Sequence, residues 1–159
     1  MEEKIWQYTI TFLLIVTFHI KHYLADFLLQ TPYMLKKHLP DWDYVKPLAA
    51  HCGVHALFTC TIACTFLYLT LDYYTRWEIP LMCLKVSLID FICHFIVDRL
   101  KASPASFGRF TALSVREFPE ANERKRKENR NYWFVLGADQ ELHHLTNLFI
   151  AWLLLTWKI

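Results

Sequence analysis

Four long apolar segments dominate this sequence of 159 residues, at about 5–29, 48–72, 79–100 and 133–158. Each approaches the roughly 20 residues that an α-helix needs to cross the hydrocarbon of a bilayer. Hydrophobic residues make up 55% of the chain, which exceeds the apolar share of a typical soluble domain. We therefore predict an all-α fold: a four-helix transmembrane bundle with up-down-up-down topology, forming a single membrane-embedded domain over residues 1–159.

A soluble four-helix bundle is the alternative fold. The run from Ala56 to Leu71 argues against it, because this run places apolar, Thr or Cys side chains on every face of a helix, whereas a soluble helix keeps a polar face. Pro80 is suited to the first position of the third helix. A long charged connection, residues 102–132, separates the third and fourth predicted helices.

Lysines and arginines concentrate in the first-to-second and third-to-fourth connections. By the positive-inside rule both connections face the cytoplasm and both termini lie outside, as in a multi-pass protein of the inner (cytoplasmic) membrane. The formal net charge of +2 comes without a continuous basic stripe, so we expect no nucleic-acid partner. The five cysteines lie in apolar segments without a Cys-x-x-Cys motif, which is typical of buried, reduced side chains.

Histidine and aspartate recur four residues apart in every apolar segment. Residues at this spacing lie on one face of a helix, so both side chains can approach the same ion. In an up-down bundle, the ends of helices 1 and 3 share a membrane side with the starts of helices 2 and 4. We therefore expect all four pairs at one level, the cytoplasmic edge of the membrane. They are His22/Asp26, His51/His55, His94/Asp98 and Asp139/His143.

A single pair of this kind is weak evidence, because a lone intramembrane histidine more often hydrogen-bonds between packed helices. Four pairs at one depth favour metal binding, since so many buried ionisable groups without a cation would leave costly unpaired charges. The donor set exceeds what one tetrahedral zinc ion requires. We expect one or two divalent ions, zinc first and manganese or iron as alternatives.

Three further side chains are candidate catalytic residues. Asp90 lies one turn before His94, where it could orient that ring or bind metal itself. Lys37 and Lys101 lie just beyond the ligand level, where they could offset negative charge on a substrate or extend to lipid headgroups. Other polar groups beside the pairs could accept the second N–H of a ligating histidine: His19, Gln30, Gln140 and His144.

The motifs resemble those of a domain-of-unknown-function family of small bacterial and phage membrane proteins. They are His22-x3-Asp26-Phe27-x-Leu29-Gln30, Lys37, His51-x3-His55, His94-x3-Asp98-x2-Lys101 and Asp139-Gln140-x2-His143. Spacing and order both agree over most of the chain, and the 102–132 connection departs from the family pattern. A more distant resemblance is to membrane-bound metal-dependent hydrolases.

The favoured function is a metal-dependent hydrolase that acts on a lipid-linked ester or phosphoester at the cytoplasmic membrane face, with membrane lipid and a lipid phosphate as partners. A carrier or channel for protons or divalent cations is one alternative, because intramembrane ionisable residues also mark ion pathways. A di-iron lipid oxidoreductase is another, suggested by His51-x3-His55 and His143-His144. A further alternative is an interaction protein in which the metal only stabilises the bundle. The sequence is also compatible with a homo-oligomer.

Overall fold

The structure, a computed structural model, describes residues 2–70 and 77–156. Within these ranges the chain forms four α-helices and no strand, which confirms the all-α prediction. The predicted second and fourth segments extend a few residues further, to 72 and 158, and these ends lie outside the described residues. The helices are α1 Glu2–Tyr23, α2 Val45–Thr70, α3 Ile79–Ala102 and α4 Glu123–Thr156.

Two short irregular helices follow α1. A π-helical turn, Leu24–Leu28, continues directly from it, and the Leu29 N–H donates to the Leu24 carbonyl over 2.9 Å. Such turns insert one extra residue and commonly occur at functional sites. A 3₁₀ helix, Met34–His38, then packs against α2 and α3. Pro80 lies in the first turn of α3, as its sequence position predicts.

The α4 helix begins at Glu123, well before the predicted start at 133. Asn122 explains the early start, because its side-chain Oδ1 accepts a hydrogen bond of 3.0 Å from the Lys125 N–H and so caps the helix. The charged residues that follow form the first turns of α4. The connection between α3 and α4 is consequently shorter than predicted, residues 103–122.

Three helical stretches are long and apolar enough to cross a membrane: Glu2–Leu28, Val45–Thr70 and Ile79–Ala102. Among the described residues α4 does not qualify, so the predicted span at 133–158 is not supported. Polar and charged side chains recur along α4 as far as Asn147, which lowers its apolar character. Its 34 residues correspond to about 51 Å, more than a bilayer's hydrocarbon requires.

The helices pack in a ring, because α1 and α3 each contact both α2 and α4. One half of the interior is apolar and includes Leu14, Leu67, Val86 and Ile150. The other half is polar and contains the histidines and aspartates. Large apolar side chains such as Phe12, Leu57 and Trp152 point outward and are more than half exposed. Apolar outer faces suit contact with lipid, and ionisable residues of membrane helices normally face the bundle interior, as they do here.

Candidate metal centre

The polar half of the bundle brings together all of the predicted ligands. They come from the end of α1 and its π-helical turn, the start of α2, the end of α3 and the middle of α4. Asp26 is the most exposed of them, with 14% of its side chain accessible, and His51, His55 and His94 are fully buried. Metal binding itself stays a prediction, but the convergence that it requires is present.

Imidazole rings from four helices are in contact. The ring of His94 stacks on that of His143 with centroids 4.1 Å apart, and it lies 3.8 Å from that of His55. The ring of His22 is 5.1 Å from that of His143. Four neighbouring imidazoles cannot all be protonated without strong mutual repulsion, so this packing suits neutral, ligand-competent rings.

A first group of candidate ligands consists of three imidazoles. His22, His55 and His94 each offer a ring nitrogen, and these nitrogens lie within 4.8 Å of one another. On every ring one nitrogen makes no hydrogen bond to the described residues: Nδ1 of His22, Nδ1 of His55 and Nε2 of His94.

The other nitrogen of each ring is paired with a fixed oxygen. His22 Nε2 lies 3.2 Å from Gln140 Oε1, and His55 Nε2 lies 3.0 Å from Asp26 Oδ1. His94 Nδ1 lies 3.0 Å from the Asp90 main-chain carbonyl. Metal-ligating histidines in proteins usually have this arrangement: one ring nitrogen binds the metal, and the other forms a hydrogen bond to a neighbouring oxygen.

A second group consists of Asp98, Asp139 and His143, whose ligand atoms also lie within 4.8 Å of one another. Lys37 Nζ donates to Asp98 Oδ1 over 2.8 Å, and Lys101 Nζ donates to Asp139 Oδ2 over 2.6 Å. The remaining oxygens, Asp98 Oδ2 and Asp139 Oδ1, and both His143 nitrogens have no hydrogen-bond partner in the described part of the chain. Each aspartate thus has one oxygen fixed by a lysine and one free.

His51 lies between the two groups. Its Nε2 is 3.3 Å from Asp26 Oδ1 and 3.2 Å from Asp98 Oδ2, and it makes no hydrogen bond to either oxygen. With Asp26 and His55 it forms a third set of ligand atoms that lie close together. Asp26 lies in the π-helical turn, so the irregular end of α1 positions this carboxylate.

Within the shared site predicted from spacing, the structure shows which side chains lie close enough to bind the same ion. The close ligand sets combine residues from different helices, and two same-helix pairs, His51/His55 and Asp139/His143, each stay together within one set. The reason is geometric: four-residue spacing turns both side chains inward, where neighbouring helices contribute the nearest ligand atoms.

Lys21 is a buried residue that is not among the predicted site residues. Its Nζ lies 2.7 Å from Asp90 Oδ2 and 3.4 Å from Asn147 Oδ1, and Thr59 Oγ1 donates to the same Asp90 oxygen over 2.8 Å. Its place inside an apolar segment, directly before His22, was the signal that could have identified it. Asp90, fully buried and carrying this network, is positioned to orient His94.

The 3₁₀ helix that carries Lys37 is anchored to α3 by Arg99. The guanidinium donates to the main-chain carbonyls of Lys37 and Leu39 over 3.2 and 3.0 Å, and it lies 3.5 Å from the centre of the Tyr44 ring. This contact holds Lys37 beside Asp98. Among the predicted flanking groups, Gln140 contacts the cluster, whereas His19 is exposed and stacks on the His144 ring, 4.5 Å away.

A model of a family described as a protein of unknown function, DUF3307, matches residues 9–159. The chain belongs to DUF3307. This confirms the expected membership in a domain-of-unknown-function family over most of the chain, and every predicted ligand of this DUF3307 protein lies within the matched range. No curated protein and no solved structure matches. The family description names no activity, so the hydrolase resemblance stays a prediction.

Proposed function

We propose that this DUF3307 protein is a membrane-embedded, metal-dependent hydrolase of a lipid-linked ester or phosphoester. One observation carries the proposal: in both ligand groups the residues offer ligand atoms within 4.8 Å of one another, and each of these residues keeps at least one buried nitrogen or oxygen without a hydrogen-bond partner among the described residues. A bundle stabilised only by buried hydrogen bonds would be expected to pair these atoms with one another. Leaving them unpaired is costly unless a cation binds them.

The donors suit one or two divalent ions. Imidazole nitrogens and carboxylate oxygens together favour zinc, and manganese or iron remain alternatives. Three protein ligands per ion leave a position open for water or substrate, as in catalytic zinc sites. A bound ion would polarise the scissile ester and lower the pKa of bound water toward ~7.

The protein's own side chains orient the ligands and receive the substrate. Asp90 holds His94 Nδ1 with its main-chain carbonyl at 3.0 Å and its carboxylate Oδ1 at 3.2 Å, and Gln140 Oε1 lies 3.2 Å from His22 Nε2. Lys37 and Lys101 each use one donor on a ligand carboxylate. An ammonium group has three donors, so each lysine keeps others for an anionic group that approaches the centre. These lysines would also offset negative charge that develops in the transition state.

The proposed membrane arrangement is up-down-up-down with the centre at the cytoplasmic edge of the inner membrane and both termini outside. Three apolar helices and the outward apolar side chains support insertion. The lysines and arginines of both long connections support a cytoplasmic centre. In this arrangement the C-terminal half of α4, whose outward-facing residues include Leu148, Phe149 and Trp152, inserts into the bilayer, and its charged first turns extend beyond it.

A carrier for protons or divalent cations is the second candidate function. The buried Lys21–Asp90 pair favours it, because it extends the polar network deeper than the ligand groups. The apolar half of the interior opposes it, since Leu14, Leu67 and Ile150 offer no ionisable route to the other end of the bundle. A di-iron lipid oxidoreductase would use the same cluster, and the identity of the metal would distinguish it.

The test is metal content followed by turnover, on protein reconstituted in lipid nanodiscs. We expect at least one zinc, manganese or iron ion per chain, and release of phosphate from a lipid phosphate. His143→Ala should lose both metal and turnover, and the exposed His19→Ala should retain both. Absence of stoichiometric metal from the unaltered protein would overturn the proposal. Cation flux in liposomes without turnover would favour the carrier.

A further inference from the structure

A cleft with apolar walls runs between α3 and α4 beside the second ligand group. Its cavity of about 310 Å³ is partly covered by Phe107 and Phe110 of the 103–122 connection. Leu100, Phe107, Phe134 and Leu142 contribute to its walls, and each keeps between 46% and 76% of its surface exposed. Large apolar side chains that remain exposed around a cavity indicate a binding surface for an apolar group.

The charged residues of this cleft link it to the candidate metal centre. Lys101 and Asp139 lie in its wall, and Asp139 is one of the three groups whose ligand atoms converge. Apart from Asn131 the rest of the wall is apolar, so an amphiphile that fills the cleft would place its polar end at this lysine and aspartate.

A second cavity, of about 230 Å³, adjoins the first. The two share Lys101, Phe107, Phe110 and Val135 in their walls. The second cavity adds Lys37 and His38, so its ionisable side chains are of basic residue types. Side by side, the cavities have an apolar part and a cationic part, and Lys101 belongs to both.

We infer that the two cavities form one substrate cleft for a membrane amphiphile with an acyl or prenyl chain and a phosphate headgroup. The chain occupies the apolar part, and the phosphate contacts Lys37 and Lys101 beside Asp98 and Asp139. The identity of this molecule as the substrate rests on the proposed function, but its binding does not.

The connection that covers the cleft is packed tightly onto the end of α3. The Phe107 N–H donates to the Leu100 carbonyl over 3.3 Å, and the Gly108 N–H donates to the Ser103 carbonyl over 2.9 Å. A Cβ on Gly108 would lie 2.2 Å from the Ala102 carbonyl oxygen, so only glycine allows this approach. The position of Phe107 over the cleft is therefore a fixed feature of the connection.

Photolabelling in nanodiscs tests the inference. The probe is a dodecyl phosphate with a diazirine near the end of its chain, and labelled residues are located by mass spectrometry. We expect labelling on Leu100–Phe110 and Phe134–Leu142. Lys101→Gln should lower it roughly tenfold through loss of a charge-assisted contact, and Phe107→Ala should lower it several-fold through loss of apolar contact. Phe149→Ala, a similarly exposed phenylalanine of α4 outside the cleft, should leave labelling unchanged.

A cationic probe and a competitor without a chain distinguish the contribution of the apolar chain to binding from that of the phosphate headgroup. A dodecyl trimethylammonium analogue should label the cleft weakly, and millimolar inorganic phosphate should compete poorly because it lacks the chain. Equal labelling by cationic and anionic probes, or labelling confined to the outer faces around Phe12 and Phe149, would overturn the inference. His143→Ala, which removes a metal ligand, should lose turnover and still be labelled. In the unaltered protein, cleft labelling without any turnover would reject the hydrolase and leave the cleft standing.

Discussion

His94 and His143 stack their imidazole rings with centroids 4.1 Å apart and planes 16° apart, although they lie on different helices. His94 belongs to the group of three imidazoles, and His143 belongs to the group that contains Asp98 and Asp139. This stacking is therefore the shortest ring contact between the two candidate ligand groups. Ligands that bind neighbouring ions, or one shared ion, should be energetically coupled.

The first prediction concerns this coupling. His94→Ala and His143→Ala should each weaken metal affinity at least tenfold, as loss of a ligand or of its support does. The double variant should lose less than the product of the two effects, with a coupling energy of about 0.5–3 kcal/mol. Competition with a chelator measures the affinities, and His19→Ala is the control. Strictly additive effects would mean that the two groups act independently.

Much of this site could be predicted because intramembrane ionisable residues are rare and their spacing is informative. Four-residue spacing identified the inward faces, and helix order placed the pairs at one end. Which atoms meet could not be predicted in this way. The π-helical turn at Leu24–Leu28 changes the direction of Asp26, and nothing in the local sequence indicates the extra residue.

The fold class could be predicted from the sequence, but the helix boundaries could be predicted less accurately. The apolar pattern predicts a start of α4 at 133, ten residues after the observed start at 123, because the charged residues of its first turns do not continue that pattern. Asn122 is a helix-capping residue type and could have given the correct start. The role of Lys21 depends on Asp90 and Asn147, which are distant in sequence. Such a contact is set by tertiary packing and has no local signature.

The second prediction concerns the buried Lys21–Asp90 pair. Lys21→Met leaves the Asp90 carboxylate buried without its cation, which should lower the free energy of unfolding by about 3–5 kcal/mol. The double variant Lys21→Met/Asp90→Asn should recover part of this loss, because the buried charge is removed as well. Thermal unfolding in detergent measures both. Lys85→Met, at an exposed position of α3, should cause no comparable loss. If Lys21→Met and Lys85→Met lowered the free energy of unfolding equally, the Lys21–Asp90 pair would contribute little to stability.

The third prediction concerns Arg99, which anchors the 3₁₀ helix carrying Lys37. Arg99→Ala should release this segment and raise KM for a lipid phosphate roughly tenfold, the effect of losing charged hydrogen bonds. Metal content should stay unchanged, because Arg99 contacts no candidate ligand atom among the described residues. Arg99→Lys should not restore KM, since a lysine cannot both span two carbonyls and stack on Tyr44. A loss of metal from Arg99→Ala would instead show that Arg99 helps to position the metal ligands.

The last prediction concerns orientation in the membrane and uses single cysteines in a variant without the five native ones. Cysteines at Trp42 and Ala105 lie in the two connections rich in basic residues, so a membrane-impermeant maleimide should label them only from the cytoplasmic side. A cysteine at Glu2 should be labelled only from the outside. One at Trp152, an outward-facing residue of α4, should be protected in lipid if this half of α4 is inserted. Labelling of Trp152 from either side would mean that α4 lies outside the bilayer, and the bundle would then have three spans, with Glu2 and Ala105 still on opposite sides.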